Sequence, residues 1–186
     1  VGDIACGIED AKKATATFSN ECRSEQVLEA LAQSKPQEVL LAGDLQYHTG
    51  AAKDFTNMFL PQWQKLGLHG YAVPGNHEYG TPQAADYFSS LKTSSIIVGE
   101  SNRGYYSVKI GEWTVYALNS NCEFIGGCGT NSDQYKWLKS ELVSNTSACT
   151  LAMWHHPVFT SGRYAPDTGS RTRMREIWKL LEQYNA

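Results

Sequence analysis

The chain has 186 residues, with sixteen basic and nineteen acidic side chains and a formal net charge of −3. This length suggests one domain, residues 1–186, that is long enough to bury a full core. The charge balance argues against the strongly basic surface of a nucleic-acid-binding protein. No apolar run approaches about 18 residues, so no membrane span is predicted.

Short apolar runs alternate with helical patterns along the chain, which favours an α/β fold. The predicted strands are a strand end at Val1–Asp3 and segments at 38–43, 69–73, 104–109, 112–118 and 148–154. The predicted helices lie before Pro36, at 51–66, at 83–90, after a capping Ser132, and at 172–184, where Met174, Ile177, Trp178 and Leu181 recur at the spacing of an amphipathic helix. Pro61 should kink or split the second helix, because proline has no backbone N–H to donate.

Four apolar runs end in side chains that can bind a metal ion. They are Asp3, Asp44 with Tyr47, Asn76 with His77, and His155 with His156. Carboxylate, amide, phenol and imidazole groups are ligands of ions such as Fe, Mn, Zn or Mg. Ligand sites of open α/β sheets lie at the carboxyl ends of strands, so we expect these side chains to converge at one edge.

The same positions carry a resemblance to a known superfamily. Its motifs here are Gly2-Asp3, Gly43-Asp44-Leu45-Gln46-Tyr47, Gly75-Asn76-His77-Glu78 and Met153-Trp154-His155-His156-Pro157. In order and spacing they resemble the first four motifs of calcineurin-like metallophosphoesterases. Within that superfamily the chain is similar to purple acid phosphatases, because Ala5 replaces a histidine while Tyr47 adds a phenol. The resemblance implies an α/β sandwich of mixed β-sheets flanked by helices.

The resemblance also implies a phosphoester hydrolase with two metal ions, acting as an acid phosphatase on small phosphomonoesters. One ion would be bound by Asp3, Asp44 and Tyr47. The other would be bound by Asp44, Asn76 and His155, so that Asp44 bridges the two. The implied metals are Fe with Zn, Mn or Fe, and Mg or Ca stays open.

Other residues near these motifs have implied or alternative roles. The resemblance implies that His77 stabilises or protonates the leaving oxygen, and we expect Glu78 to orient its turn rather than to contact metal. His155 matches the ligand position better than His156, which would then support a ligand or face the substrate. Arg163 could face the anionic substrate, although a solvated arginine is favoured. Asp3 could instead be a turn residue, and Tyr47 an aromatic packed on the next helix.

The fifth motif of the superfamily, Gly-His-x-His, does not occur before Ala186, so we expect this chain to lack the C-terminal part of the fold. His48 and His69 lack the paired spacing and are expected to be structural or surface residues. Residues 1–186 should therefore bind metal weakly and be nearly inactive. Two alternatives stay open: a phosphodiesterase or nucleotidase of the same fold, since the loop at 119–131 could select the substrate, and a non-catalytic binding scaffold.

Five cysteines are typical of an oxidising compartment and predict a secreted or periplasmic protein, although the chain shows no signal peptide. Sequence proximity predicts the disulfides Cys6–Cys22 and Cys122–Cys128. Cys149 lies in a predicted buried strand and should be a free, inert thiol. Asn145-Thr146-Ser147 would accept a glycan only in a eukaryotic secretory route.

Overall fold

A computed structural model of the chain describes residues 1–7, 24–161 and 174–186. Its first sheet is parallel, in the order β1–β2–β3. The strands are β1 at Val39–Leu41, β2 at Gly70–Ala72 and β3 at Ile96–Ile97. β3 was not predicted, because a run of two isoleucines is too short to show strand periodicity.

The second sheet is mixed. β4 (Tyr106–Ile110) pairs antiparallel with β5 (Trp113–Ala117), and β6 (Cys149–Met153) pairs parallel with β5. Ile110 is opposite Trp113, so β4 and β5 form a hairpin that closes through a two-residue turn in which Gly111 has φ of +58°. A left-handed backbone of this kind is what such turns require.

Six α-helices accompany the sheets in the described ranges. They are α1 (Ser24–Ser34), α2 (Ala52–Asp54), α3 (Leu60–Leu66), α4 (Ala85–Leu91), α5 (Asp133–Ser144) and α6 (Arg175–Gln183). Phe55–Phe59 forms a π-helical turn between α2 and α3, and the N–H of Leu60 bonds to the Phe55 carbonyl. The predicted interruption near Pro61 is thus confirmed. None of the helices in these ranges is long and apolar enough to cross a bilayer.

The side chains of each sheet alternate between two apolar clusters, as the period of a strand requires. Val39 and Leu41 pack with Phe55, Phe59 and Trp63 on the helical side of the first sheet. A small cluster lies between the two sheets; it contains Leu40, Tyr71, Val73, Tyr106, Ala117, Leu151 and Met153. A further core covers the outer face of the second sheet with α5 and α6. The layers are therefore helices, sheet, sheet and helices, which confirms the predicted α/β sandwich.

One expectation about burial is wrong. β6 was expected to be buried, but of its five residues only Met153 is buried. In the described part of the chain β6 is the last strand of its sheet, so one of its edges is unpaired. Trp178 is 36% exposed, because the buried stripe of α6 runs through Ile177, Leu180 and Leu181 instead.

The cysteine predictions are confirmed where the structure describes both partners. Cys122 and Cys128 form a disulfide. Cys149 is a free cysteine, although it is half-buried rather than buried. Cys22 lies outside the described residues, so its pairing with Cys6 stays a prediction.

Asn145 makes hydrogen bonds through both ends of its side-chain amide. Its oxygen accepts from Thr114 Oγ1 at 3.0 Å and from the N–H of Ser147 at 3.1 Å. Its nitrogen donates to Thr150 Oγ1 at 3.1 Å. These bonds join the end of α5 to β5 and β6, so a glycan on this nitrogen would have to displace a structural contact.

Candidate functional site

The carboxylate of Asp44 lies at the centre of the candidate site. The chain turns sharply after β1, where Gly43 and Asp44 have φ of +85° and +50°. An ideal Cβ on Gly43 would lie 2.6 Å from the nitrogen of Gly75 and 2.9 Å from Nδ1 of His155. Glycine at this position therefore lets three predicted motifs approach one another.

Asp3 and Tyr47 lie on one side of Asp44. The first segment of the chain runs beside the turn, with the N–H of Asp3 bonded to the Gly43 carbonyl at 3.0 Å. The hydroxyl of Tyr47 lies 2.5 Å from Asp3 Oδ1 and 3.1 Å from Asp44 Oδ2. Burial, together with these two carboxylates, raises the pKa of Tyr47 far above its ordinary value. The phenol therefore keeps its proton unless a cation takes the place of that proton.

Asn76 and His155 lie on the other side. His155 Nδ1 is 2.8 Å from the carbonyl of Ala42, which can only accept, so this nitrogen carries a hydrogen. His155 Nε2 lies 3.2 Å from Asn76 Oδ1 and 3.4 Å from Asp44 Oδ2. Burial lowers the pKa of His155, but the bonds to Asp44 and Ala42 outweigh it and raise the pKa to about 8. Burial raises the pKa of Asp44, because it disfavours the charged carboxylate. The bond to His155 outweighs burial and brings the pKa of Asp44 below its ordinary value.

His77 packs against Tyr47, with ring centroids 4.3 Å apart. Its backbone N–H donates to Asp44 Oδ1 at 3.0 Å, and its Nε2 is 3.9 Å from Asp44 Oδ2. Its Nδ1 lies 2.5 Å from the carbonyl of His48 and donates to it. His48, expected to be structural or a surface residue, thus orients the His77 ring through its backbone. No sequence signal marks a carbonyl contact of this kind.

His156 lies beside His155, with ring centroids 4.8 Å apart. Its Nδ1 is 2.7 Å from Oγ of Ser120, which is fully buried. Ser120 was not predicted as part of the site, although it follows the apolar run of β5 in the way the other motifs follow their strands. Arg163 lies outside the described residues.

Glu78 is fully buried next to His77. Burial and the charge of Asp44 raise its pKa to about 7, against the opposing effect of its backbone hydrogen bonds. One of these comes from the N–H of Gly75 at 2.7 Å, in agreement with the expectation that Glu78 orients its own turn. Its further bonds to the turn that carries Asp44 were not predicted.

The structure thus brings Asp3, Asp44, Tyr47, Asn76 and His155 together, with His77 at their side. Across residues 1–7, 24–161 and 174–186, no three His, Cys, Asp or Glu side chains form a group that could hold an ion by themselves. An ion here would therefore depend on the phenol and the amide as well. Oxygen and imidazole donors suit a hard to borderline cation. His155 Nε2 faces two acceptor oxygens, so a cation could replace its proton.

Comparisons with known proteins show the family and the fold. The family model for calcineurin-like phosphoesterases matches residues 2–186. The fold is similar to a purple acid phosphatase, PPD1, from yellow lupin (Lupinus luteus) seeds, with a TM-score of 0.71 and 13% identity over 88% of this chain and 32% of that chain. It is also similar to GAP50, described as the anchor in the inner membrane complex of Plasmodium, with a TM-score of 0.54 and 10% identity over 87% of this chain and 57% of that chain. At these identities the two likenesses show the fold alone. A search of curated proteins finds no match.

Proposed function

The chain belongs to the calcineurin-like phosphoesterase family, and from that premise we propose that it is the core of a metal-dependent phosphomonoesterase of the acid phosphatase type with a dinuclear centre. The observation that carries the proposal is the central position of Asp44. One of its oxygens is within 3.4 Å of both Tyr47 and His155, so a single carboxylate serves both sides of the site.

The donors divide into two groups that share this carboxylate. Asp3, Asp44 and Tyr47 would hold one ion, and Asp44, Asn76 and His155 the other. Phenol and carboxylate favour Fe in the first position, and imidazole, amide and carboxylate suit Zn, Mn or Fe in the second, with Mg or Ca still open. Two such ions would neutralise the charge of a phosphate group and lower the pKa of a bound water to near 7.

His77 would act on the substrate rather than on a metal. Its Nδ1 is engaged by the His48 carbonyl, so Nε2 is the atom that can exchange a proton. That atom lies beside Asp44 Oδ2, where it could stabilise or protonate the oxygen that leaves the phosphorus. His156, held by Ser120, would support His155 from the side.

The Cys122–Cys128 disulfide supports a further proposal about compartment. Disulfides persist in oxidising surroundings, which favours a secreted or periplasmic protein.

A non-catalytic scaffold is the alternative from another class, since GAP50 is described as an anchor and has this fold. The presence of Asp44, Asn76 and His77 favours the enzyme.

The test is metal analysis together with rates on p-nitrophenyl phosphate and on its bis-ester. It should be made on residues 1–186 and on a longer form that carries a Gly-His-x-His motif. We expect the longer form to bind two ions and to prefer the monoester, and residues 1–186 to bind metal weakly with little turnover. Preference for the bis-ester would favour a phosphodiesterase. No metal and no turnover in either form would favour the scaffold.

The role of Tyr47 has its own test in the longer form. If iron is bound by the phenolate, charge transfer should colour the protein, and Tyr47→Phe should abolish that absorption. The exposed Tyr184 offers a matched control, because Tyr184→Phe removes a hydroxyl away from the donors. A colourless, iron-free and fully active protein would contradict the ferric assignment and make Tyr47 a packing residue beside Zn or Mn.

A further inference from the structure

We propose that Glu78 is a positioning residue that locks two donor-bearing turns together and so sets the distance between the metal donors they carry. The Asp44 turn is defined as Gly43–Gln46 and the Asn76 turn as Gly75–His77. The inference rests on the proposed metal-dependent function, because metal affinity is one of its two readouts. The other readout, amide exchange, does not depend on metal.

The carboxylate of Glu78 accepts hydrogen bonds from both turns. Its Oε2 accepts from the N–H of Gly75 at 2.7 Å and from the N–H of Asp44 at 2.9 Å. Its Oε1 accepts from the N–H of Leu45 at 2.8 Å and from that of Gln46 at 3.4 Å. A single oxygen therefore joins the two turns.

These bonds also explain why Glu78 is not itself a metal donor. A carboxylate offers about four lone-pair positions, and four backbone N–H groups occupy those of Glu78. The side chain is 0% exposed. Gly50 packs over it so closely that an ideal Cβ there would lie 2.7 Å from the Glu78 Cα. Glu78 therefore acts on the site through the backbone of its neighbours.

The two turns leave no room for independent adjustment. An ideal Cβ on Gly75 would lie 2.1 Å from Asp44 Oδ1, and the same oxygen accepts the N–H of His77 at 3.0 Å. Asp44 has φ of +50°, a left-handed backbone that is uncommon for residues other than glycine, although aspartate adopts it more readily than most. Without the acceptors of Glu78, the Asp44 turn would relax and its carboxylate would move relative to Asn76.

The test compares Glu78→Gln and Glu78→Asp with Leu138→Ala. Glutamine keeps the shape, but its NH₂ group must face two backbone N–H groups that then lack an acceptor. Aspartate keeps the charge but is one methylene too short to reach both turns. Leu138 is fully buried in the core between the second sheet and its helices, so its replacement by alanine destabilises the protein away from the turns.

Two measurements are made: Zn²⁺ affinity by calorimetry on the longer form that carries a Gly-His-x-His motif, and residue-resolved hydrogen exchange of metal-free residues 1–186. We expect Glu78→Gln to weaken Zn²⁺ binding about 10–100-fold, as is typical for residues that support metal ligands. The amides of Gly75, Asp44 and Leu45 should exchange at least about tenfold faster, and together. Glu78→Asp should show a smaller loss in both, and Leu138→Ala should leave both within about twofold.

Several results would overturn the inference. Unchanged Zn²⁺ affinity and exchange in Glu78→Gln would do so, as would faster exchange at Gly75 alone, since Glu78 would then orient only its own turn. An equal loss in Leu138→Ala would assign the effect to general stability. If Glu78→Gln does not fold, Glu78→Asp is judged by the same criteria. If neither residues 1–186 nor the longer form binds Zn²⁺ while Glu78→Gln speeds exchange in both turns together, the proposed function fails, and Glu78 still holds the two turns together.

Discussion

Gly75 is the position at which one added methyl group should most disturb the candidate site. An ideal Cβ there would lie 2.1 Å from Asp44 Oδ1, 2.5 Å from the Asp44 nitrogen and 2.8 Å from its Cγ. Real Cβ atoms essentially never approach closer than 3.0 Å. Gly75→Ala must therefore move the carboxylate oxygen by at least 0.9 Å, the difference between 3.0 and 2.1 Å, or push the two turns apart.

The expected loss in the free energy of unfolding follows from the contacts that the added methyl group would strain. Overpacking a closed site costs about 1–3 kcal/mol. Moving Asp44 Oδ1 also weakens its bond from the His77 N–H, and a hydrogen bond to a charged group is worth about 1.5–3 kcal/mol. A total near 3 kcal/mol corresponds to a Tm about 6–12 °C lower for a chain of this size.

The assay is thermal and urea unfolding together with Zn²⁺ titration, with two glycines as matched controls. Gly129 has nothing within 4 Å of an added Cβ and no left-handed φ, so Gly129→Ala should be as stable as the parent. Gly67 is equally open but has φ of +63°, so Gly67→Ala measures the cost of a left-handed backbone alone, about 1–2 kcal/mol. Gly75→Ala should be the least stable of the three and should bind Zn²⁺ at least about tenfold more weakly.

Gly75→Ala with the stability and Zn²⁺ affinity of Gly129→Ala would refute the reasoning, because it would show that the Asp44 and Asn76 turns are not in the contact described. A less stable Gly75→Ala with unchanged Zn²⁺ affinity would refute only the predicted effect on Zn²⁺ binding. In that case the turns could separate without moving the donors.

Three further predictions test other parts of the chain. The pKa of His155 is about 8 in the folded protein against an ordinary 6.5. This group should therefore contribute about 2 kcal/mol to the free energy of unfolding of the metal-free protein below pH 6.5, and the contribution should be lost as the pH rises through 8. Urea unfolding across that range checks it, and a His155→Asn variant with the same pH slope would contradict it. Ser132→Ala should cost about 1 kcal/mol, because Ser132 Oγ accepts the N–H of Tyr135 at the start of α5, whereas the exposed Ser140→Ala should cost nothing measurable in the same unfolding assay. Thiol titration of the unfolded, unreduced protein should find one free thiol, that of Cys149, and finding five would overturn both the pairing and the oxidising compartment.

The residues proposed as metal donors could be selected from the sequence because each depends on a local pattern. Asp44, Asn76 and His155 directly follow short apolar runs, and strand ends at one sheet edge bring such residues together. The Ser132 cap and the Cys122–Cys128 disulfide were predictable for the same reason, since their partners lie three and six residues away. Periodicity also indicated the α/β class, because strands and helices bury different spacings of apolar residues.

Other features depend on how segments that are distant in the sequence pack together, and a local sequence pattern does not predict such packing. Glu78 reaches the Asp44 N–H across 34 residues, and His156 reaches Ser120 across 36. The His48 carbonyl that orients His77 belongs to the backbone, which is chemically the same at every position. The exposure of Trp178 depends on which side of α6 meets the second sheet, because helical spacing defines an apolar stripe but not its edges. The sequence by itself therefore determined which chemical groups stand at the strand ends, and only the tertiary structure decided which groups hold them in place.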